Sequence, residues 1–256
     1  MRILLLANNW VGWQIARCLR RAEEEVVGVV VHPPDRSKFR REILRECDVD
    51  PDRVFDGSAL RRPEVIESIT AIHPQVGISA LFGYLLREEF LEATACGFIN
   101  IHLGLLPYNR GAFPNVWSII DGTPAGVTIH DVDAEIDTGA IISQREVPVQ
   151  PVDTGETLYR KLERAAVALF EESWPLIRSG EAPRVPQDRD EGTRHRVRDV
   201  DCVDEIDLDR CYRAGDLIDV IRARTFSPYG GAYFGHRGRK VYVRMELAYE
   251  DELQAE

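Results

Sequence analysis

Asn100 and His102 stand two residues apart at the end of the apolar run GFINIH, and the proline- and glycine-containing stretch LGLLPYNRG (103–111) follows directly. Further along, HDVDAEIDTG (130–139) places carboxylates at Asp131, Asp133, Glu135 and Asp137, with Thr138-Gly139 offering a sharp turn after the last of them. Residues i and i+2 of a strand project to the same side, so Asn100 and His102 can face one ligand. A turn at Thr138-Gly139 can carry Asp137 back toward the same strand edge. An Asn, a His and an Asp held together suit acyl transfer to an amine. The imidazole takes or relays the amine's proton. The carboxylate fixes the ring's tautomer and favours its charged form. The asparagine amide is a neutral donor for the oxygen that gains negative charge. The amine is itself the nucleophile, so the chemistry needs no serine or cysteine attack.

These residues need a scaffold that delivers strand ends to one place. RILLLA (2–7) and VVGVVV (26–31) are short apolar runs flanking a helix-like stretch over 13–22, the spacing of a βαβ unit. The alternation continues: helix 63–69, strand 76–80, helix 87–95, strand 97–102, helix 115–121, then strands 126–131 and 140–149. Thr154 opens a long helix whose Leu158, Leu162, Leu169 and Ile177 recur at helical spacing, with Gly180 as its stop. Strands apolar on both faces suit a helix-covered parallel sheet. The expected fold is therefore α/β, a doubly wound, mostly parallel, Rossmann-like sheet with a small C-terminal α+β appendage. The expected domains are a catalytic domain over 1–183, a polar connection over 184–201 and the appendage over 202–256. The appendage reads as a helix over 214–224 and strands near 232–234 and 240–247, with an acidic, disordered tail over 250–256.

In such sheets ligands gather at the carboxyl ends of strands. That makes Asn8, Asn9 and Trp10, which end the first strand, candidates for substrate contact. Arg110 reads equally as a phosphate anchor or as a cap on its own loop. Only Gly12 stands where a GxGxxG fingerprint would need three glycines, which argues against a dinucleotide-binding module. His32, His73, His130, His195 and His236 read first as structural histidines, with His130 and His32 the two that could border the site.

Composition limits the partners. The net charge of −11 argues against a nucleic-acid surface. Five cysteines, odd in number and without CxxC spacing, argue against a disulfide framework or a metal site. MRILLLANNW lacks the apolar core of a signal peptide, and no run approaches the ~20 apolar residues that span a bilayer. The chain reads as a cytoplasmic protein with no membrane partner.

The motifs NIHLGLLPYNRG and HDVDAEIDTGAII, in this order, resemble the paired signatures of the folate-dependent formyltransferases, most of all the sugar N-formyltransferases. The resemblance covers about residues 1–180 and implies catalytic roles for Asn100, His102 and Asp137. It implies 10-formyltetrahydrofolate as cosubstrate, held by Phe82, Gly83, Tyr84, Leu85 and Leu86 before the catalytic strand and by the loop Val132, Asp133, Ala134 and Glu135. His102 and Asn100 would stabilise the tetrahedral intermediate while Asp137 orients His102. VIRARTFSPYGGAYF (220–234) resembles the segment that opens an extra C-terminal domain in some members, although Pro228-Tyr229-Gly230-Gly231 departs from their proline-glycine order. The appendage offers a homodimer contact. The expected acceptor is the primary amine of a nucleotide-linked amino sugar, because the chain is acidic and ANNWVGW has no glycine-rich phosphate grip. Methionyl-tRNA is the alternative acceptor, and hydrolysis of 10-formyltetrahydrofolate is the alternative reaction.

Overall fold

The structure, a computed structural model, describes residues 1–253. In chain order its elements are β1 (Arg2–Ala7), α1 (Asn9–Arg21), β2 (Glu25–Val31), α2 (Arg40–Cys47), β3 (Val54–Asp56), α3 (Pro63–Thr70), β4 (Val76–Ala80), α4 (Glu88–Leu91) and β5 (Phe98–His102). They continue as β6 (Arg110–Gly111), α5 (Pro114–Ile120), β7 (Gly126–Asp131), β8 (Ile141–Glu146), α6 (Gly155–Ser179), β9 (Arg194–His195), α7 (Asp201–Asp204), α8 (Ala214–Ala223), β10 (Tyr233–His236), β11 (Arg239–Tyr242) and α9 (Glu250–Leu253). The chain divides into two units. The first comprises 1–102, 127–145 and 163–189; the second comprises 103–126, 146–162 and 190–256.

The first unit is built on a seven-stranded sheet in the order β3-β2-β1-β4-β5-β7-β8. Every pairing from β3 across to β5 is parallel, and β7 joins β5 antiparallel. The sheet is thus Rossmann-like and doubly wound, with strand order reversing at β1 and β4. β1 and β4 are buried along nearly their whole length, as central strands covered on both faces must be. Helix α1 lies close on β1: a Cβ at Gly12 would meet the Ala7 Cβ at 3.0 Å. Beneath the strand ends, Leu4, Leu6, Val30, Phe82, Leu86, Phe90 and Phe98 share one buried cluster.

Most expected elements form, and the differences have local causes. The helix expected over 87–95 shortens to α4. The amides of Ala95 and Cys96 bond instead to the Pro74 and Gln75 carbonyls, and the Thr94 hydroxyl bonds to the Gly97 carbonyl. α2 and β3 were not expected. In α2 only Ile43 and Cys47 are buried among mostly charged neighbours, too sparse an apolar face to read as periodic. The strand expected over 140–149 ends at Glu146, where the Val147 amide turns to the Ala125 carbonyl and Pro148 has no donor.

In the second unit, β6 pairs parallel with β9, and β10–β11 form an antiparallel hairpin. β11 stops at Tyr242, short of the expected 247, because the Val243 amide bonds to the Ala232 carbonyl. Of the tail expected to be disordered, 250–253 form α9, and 254–256 lie outside the described residues. α6 supplies 155–162 to the second unit and the rest to the first. No helix among the described residues is long and apolar enough to cross a membrane.

Candidate active site

The antiparallel β5–β7 pair sets the site. Its register places Asn100 directly opposite His130, and His102 opposite Thr128. Directly opposed residues share a face of the sheet and lie within side-chain reach. Thr128 and His130 alternate with Val127 and Ile129 along β7, and all four are buried, so both faces of this strand are covered and the register alone sets Thr128 and His130 on the Asn100 side.

Asp137 completes the cluster from the loop after β7. Its φ of +57° puts it in the left-handed region, uncommon for a residue with a Cβ. The turn closes tightly, since a Cβ at Gly139 would stand 1.8 Å from the Asp131 carbonyl oxygen. The loop is stiffened from within: the Asp133 carboxylate accepts from the Thr138 hydroxyl at 2.7 and 2.9 Å and from the Glu135 amide at 3.2 Å.

Asp137 therefore lies between two imidazoles. Its Oδ2 is 3.5 Å from His102 Nδ1, and its Oδ1 is 3.5 Å from His130 Nε2. The three side chains are 12%, 8% and 2% exposed, so water screens these interactions weakly. Asn100 Nδ2 bridges the remaining atoms, 3.2 Å from His130 Nε2 and 3.4 Å from Asp137 Oδ1. His130 Nδ1 is 2.7 Å from the Asp131 carbonyl oxygen, which can only accept. In the neutral ring His130 therefore carries its proton on Nδ1, and Nε2 accepts from Asn100. A carboxylate beside His102 Nδ1 likewise keeps a proton there and makes Nε2 the basic nitrogen.

The sequence-predicted residues fall into three groups. Asn100, His102 and Asp137 come together. His130, read from sequence first as a structural histidine that could border the site, joins them. The signal that could have found it is the alternation V-T-I-H along β7, whose two polar residues share one buried face.

The two loops assigned to folate lie in the first unit. Phe82 and Leu86 are buried in the apolar cluster, Tyr84 and Val132 pack against it, and Gly83, Leu85, Ala134 and Glu135 are exposed. His32 packs its ring edge-on to Phe82 and tilted to Tyr84, and its Nε2 contacts the Phe82 carbonyl. Asn8, Asn9 and Trp10 stand half-buried at the end of β1. The Asn8 side chain accepts from the Lys38 amide at 2.8 Å, and the Asn9 amide donates to the Lys38 carbonyl at 3.2 Å, tying the 33–39 loop to the strand end.

Arg110 belongs to the second unit, where it is buried and donates to the Glu191 carbonyl at 3.2 Å. A hollow of about 340 Å³ in that unit is lined by Asp204, Arg224, Tyr233, Lys240 and Tyr242 among others, and by no member of the Asn100 cluster.

Asp131 faces away from the chemistry. Its carboxylate pairs with Arg184 at 2.9 Å, and burial lifts its pKa above the ordinary range although Arg184 pulls it down. It closes β7 and pairs with Arg184 rather than joining the cluster.

A doubly wound sheet that gathers an amide donor, two imidazoles and a carboxylate defines a class of acid–base group-transfer enzymes. Within that class the chain belongs to the formyl transferase family. The family model described as formyl transferase matches residues 1–173, and that of the N-formyltransferase dimerization C-terminal domain matches residues 199–249. The chain is thus an N-formyltransferase. It is 34% identical to a methionyl-tRNA formyltransferase of Symbiobacterium thermophilum over 264 residues, covering 100% of this chain and 79% of the relative. It is 36% identical to the dTDP-4-amino-4,6-dideoxyglucose formyltransferase of Mycobacterium bovis over 213 residues, covering 82% of this chain and 90% of the relative. Among solved structures it resembles a 4-N formyltransferase from Francisella tularensis, with a TM-score of 0.81, 28% identity and coverage of 97% and 98% of the two chains. It also resembles the formyltransferase PseJ from Anoxybacillus kamchatkensis, solved with UDP-4,6-dideoxy-4-formamido-L-AltNAc and tetrahydrofolate. There the TM-score is 0.54 at 30% identity, over 79% of this chain and 89% of that one.

Proposed function

We propose that this enzyme transfers the formyl group of 10-formyltetrahydrofolate to the primary amine of a nucleotide-linked amino sugar. The observation that carries the reaction is the four-residue cluster, with Asp137 within 3.5 Å of both imidazoles. The donor fits the first unit: Tyr84 and Val132, one from each assigned loop, pack against the same apolar cluster and give a flat ring an apolar bed. The acceptor is supported by the aminosugar relatives and by the acidic net charge of −11.

In the transfer, the amine nitrogen bonds to the formyl carbon and the bond from that carbon to the folate nitrogen breaks. One proton passes from the amine to the folate nitrogen. His102 holds that proton in transit, and Asp137 stabilises the imidazolium. Asn100 donates to the formyl oxygen as it gains negative charge. Both Asn100 N–H groups are directed within the cluster, at His130 and Asp137. Donation to that oxygen requires Asn100 to turn one N–H away from these partners when the formyl group is bound. Asn8, Asn9 and Trp10 contact the acceptor. Arg110 ties its loop to the segment after α6 through the Glu191 carbonyl and is the weakest of the proposed substrate contacts.

The catalytic domain spans 1–183, the connection 184–201 and the C-terminal domain 202–256, through which two copies pair. The exposed Val241 and Tyr242 of the β10–β11 hairpin supply the apolar surface such pairing needs.

The second reading is a methionyl-tRNA acceptor, favoured by the relative that matches the whole chain. One experiment separates the readings. The protein is incubated with 10-formyltetrahydrofolate and, separately, a panel of amino-sugar nucleotides, methionyl-tRNA or no acceptor. A sugar nucleotide heavier by one formyl group supports the proposal. Formylation of the tRNA alone, falling steeply with salt, overturns the acceptor. Formate released without any amine overturns the transfer itself.

A further inference from the structure

The segment after α6 does more at the site than its polar composition implies. Val185 pairs with Ile141 through two backbone hydrogen bonds, Ile141 N to Val185 O at 2.8 Å and Val185 N to Ile141 O at 2.9 Å. Two residues on, the Gln187 amide donates to the Asp137 carbonyl at 3.0 Å and to the Gly139 carbonyl at 2.7 Å. Both acceptors are carbonyl oxygens, so the nitrogen of the Gln187 side chain, not its oxygen, must face them. On either side, Arg184 pairs with Asp131 and Arg189 with Glu135. The whole acidic loop is thus gripped from 184–189, and the grip centres on the residue with left-handed backbone.

We infer that Gln187 is a positioning residue for the reaction: its amide holds the Asp137–Gly139 turn so that the Asp137 carboxylate stays against both imidazoles. This rests on the role given to Asp137 above. The physical reason is direct. Asp137 occupies a left-handed conformation uncommon for a residue with a Cβ, and nothing in its own side chain's contacts with His102 and His130 fixes its backbone. Two carbonyls brought side by side repel unless a donor lies between them. Gln187 supplies two N–H groups at that point, one per carbonyl.

The test is a double-mutant cycle. Gln187→Leu keeps the side chain's bulk and removes both donors; Gln187→Glu keeps its shape and replaces them with acceptors. Each is measured alone and combined with Asp137→Asn, with cooperative thermal unfolding checked for every variant. Against the native background Gln187→Leu lowers kcat roughly 10- to 100-fold, with KM for both substrates within about threefold, the cost expected for misplacing a catalytic group. Gln187→Glu loses at least as much. In the Asp137→Asn background the same changes cost less than about twofold, because the group they position is already gone. A native kcat in both Gln187 variants, or an equal factor in the two backgrounds, overturns the inference and leaves the active-site reading intact. A native kcat in Asp137→Asn sinks both together.

Discussion

Asp137→Asn isolates the electrostatic core of the site. The substitution keeps the shape of the side chain and removes one charge. At 3.5 Å from His102 Nδ1, a carboxylate attracts an imidazolium by about 5 kcal/mol with an effective dielectric constant near 20. That is the gross attraction. An opposite charge at this range typically favours the charged form of its neighbour by ~1.4–4 kcal/mol net. The pair is mostly buried, His102 8% and Asp137 12% exposed, which keeps solvent screening low and puts the value in the upper half of that range. If His102 carries a proton in the transition state, the loss appears in kcat as roughly 10²–10³-fold. KM for the acceptor stays within a few-fold, because the carboxylate faces the imidazoles and not the sugar. Single-turnover formylation with enzyme in excess over the acceptor, followed by mass spectrometry of the product, reads the rate of the chemical step apart from product release and is set beside the steady-state kcat. A loss confined to KM, or a kcat within about threefold of native, would refute the placement of the imidazolium in the transition state.

Four further outcomes follow from the geometry. His102→Asn folds as the native protein does and loses most of its turnover, at least 10²-fold, since it removes the proton carrier from a site that keeps its other members; circular dichroism and the same formylation assay check both halves. Gly139→Ala forces a Cβ to within 1.8 Å of the Asp131 carbonyl, so the turn must open: stability falls by about 1–3 kcal/mol in urea unfolding and activity is lost with it. Burial pushes the Cys18 and Cys47 thiols up to about 12, helped at Cys18 by the Glu171 carboxylate, whereas Cys96, Cys202 and Cys211 are exposed, so iodoacetamide near pH 8 alkylates those three first, the half-buried Cys18 more slowly and Cys47 only on unfolding. The same two thiols make the fold lose stability as pH rises from about 9 toward 12. The unfolded chain ionises them in that window and the folded one keeps them protonated. A flat urea midpoint across that range would count against it.

The apolar runs that become β1, β2, β4 and β5 were legible because central parallel strands must be apolar on both faces. Asn100 and His102 were legible for the same reason, as polar residues ending such a run. Asp137 was legible through the turn that Thr138-Gly139 permits. His130 was legible only as a residue that could border the site, because its place depends on a register and a strand direction that no local pattern states: only the antiparallel pairing sets it opposite Asn100. α2 and the short form of α4 were hidden for a related reason, since partners distant in sequence decide where their backbone donors go. Gln187 was hidden most completely. It sits in a charged stretch without periodicity, and its importance comes from two carbonyl groups nearly fifty residues earlier in the chain.

The antiparallel pairing of β7 with β5 also governs which insertions this enzyme can survive. Side chains along β7 alternate, so one residue added between Gly126 and His130 would rotate Ile129 into the place of His130 and drive the imidazole into the hydrocarbon interior. A residue added in the exposed 121–124 turn before β7 leaves that phase untouched. Length variation tolerated before the strand and forbidden within it is the mark this geometry should leave on any library of random insertions selected for growth or catalysis.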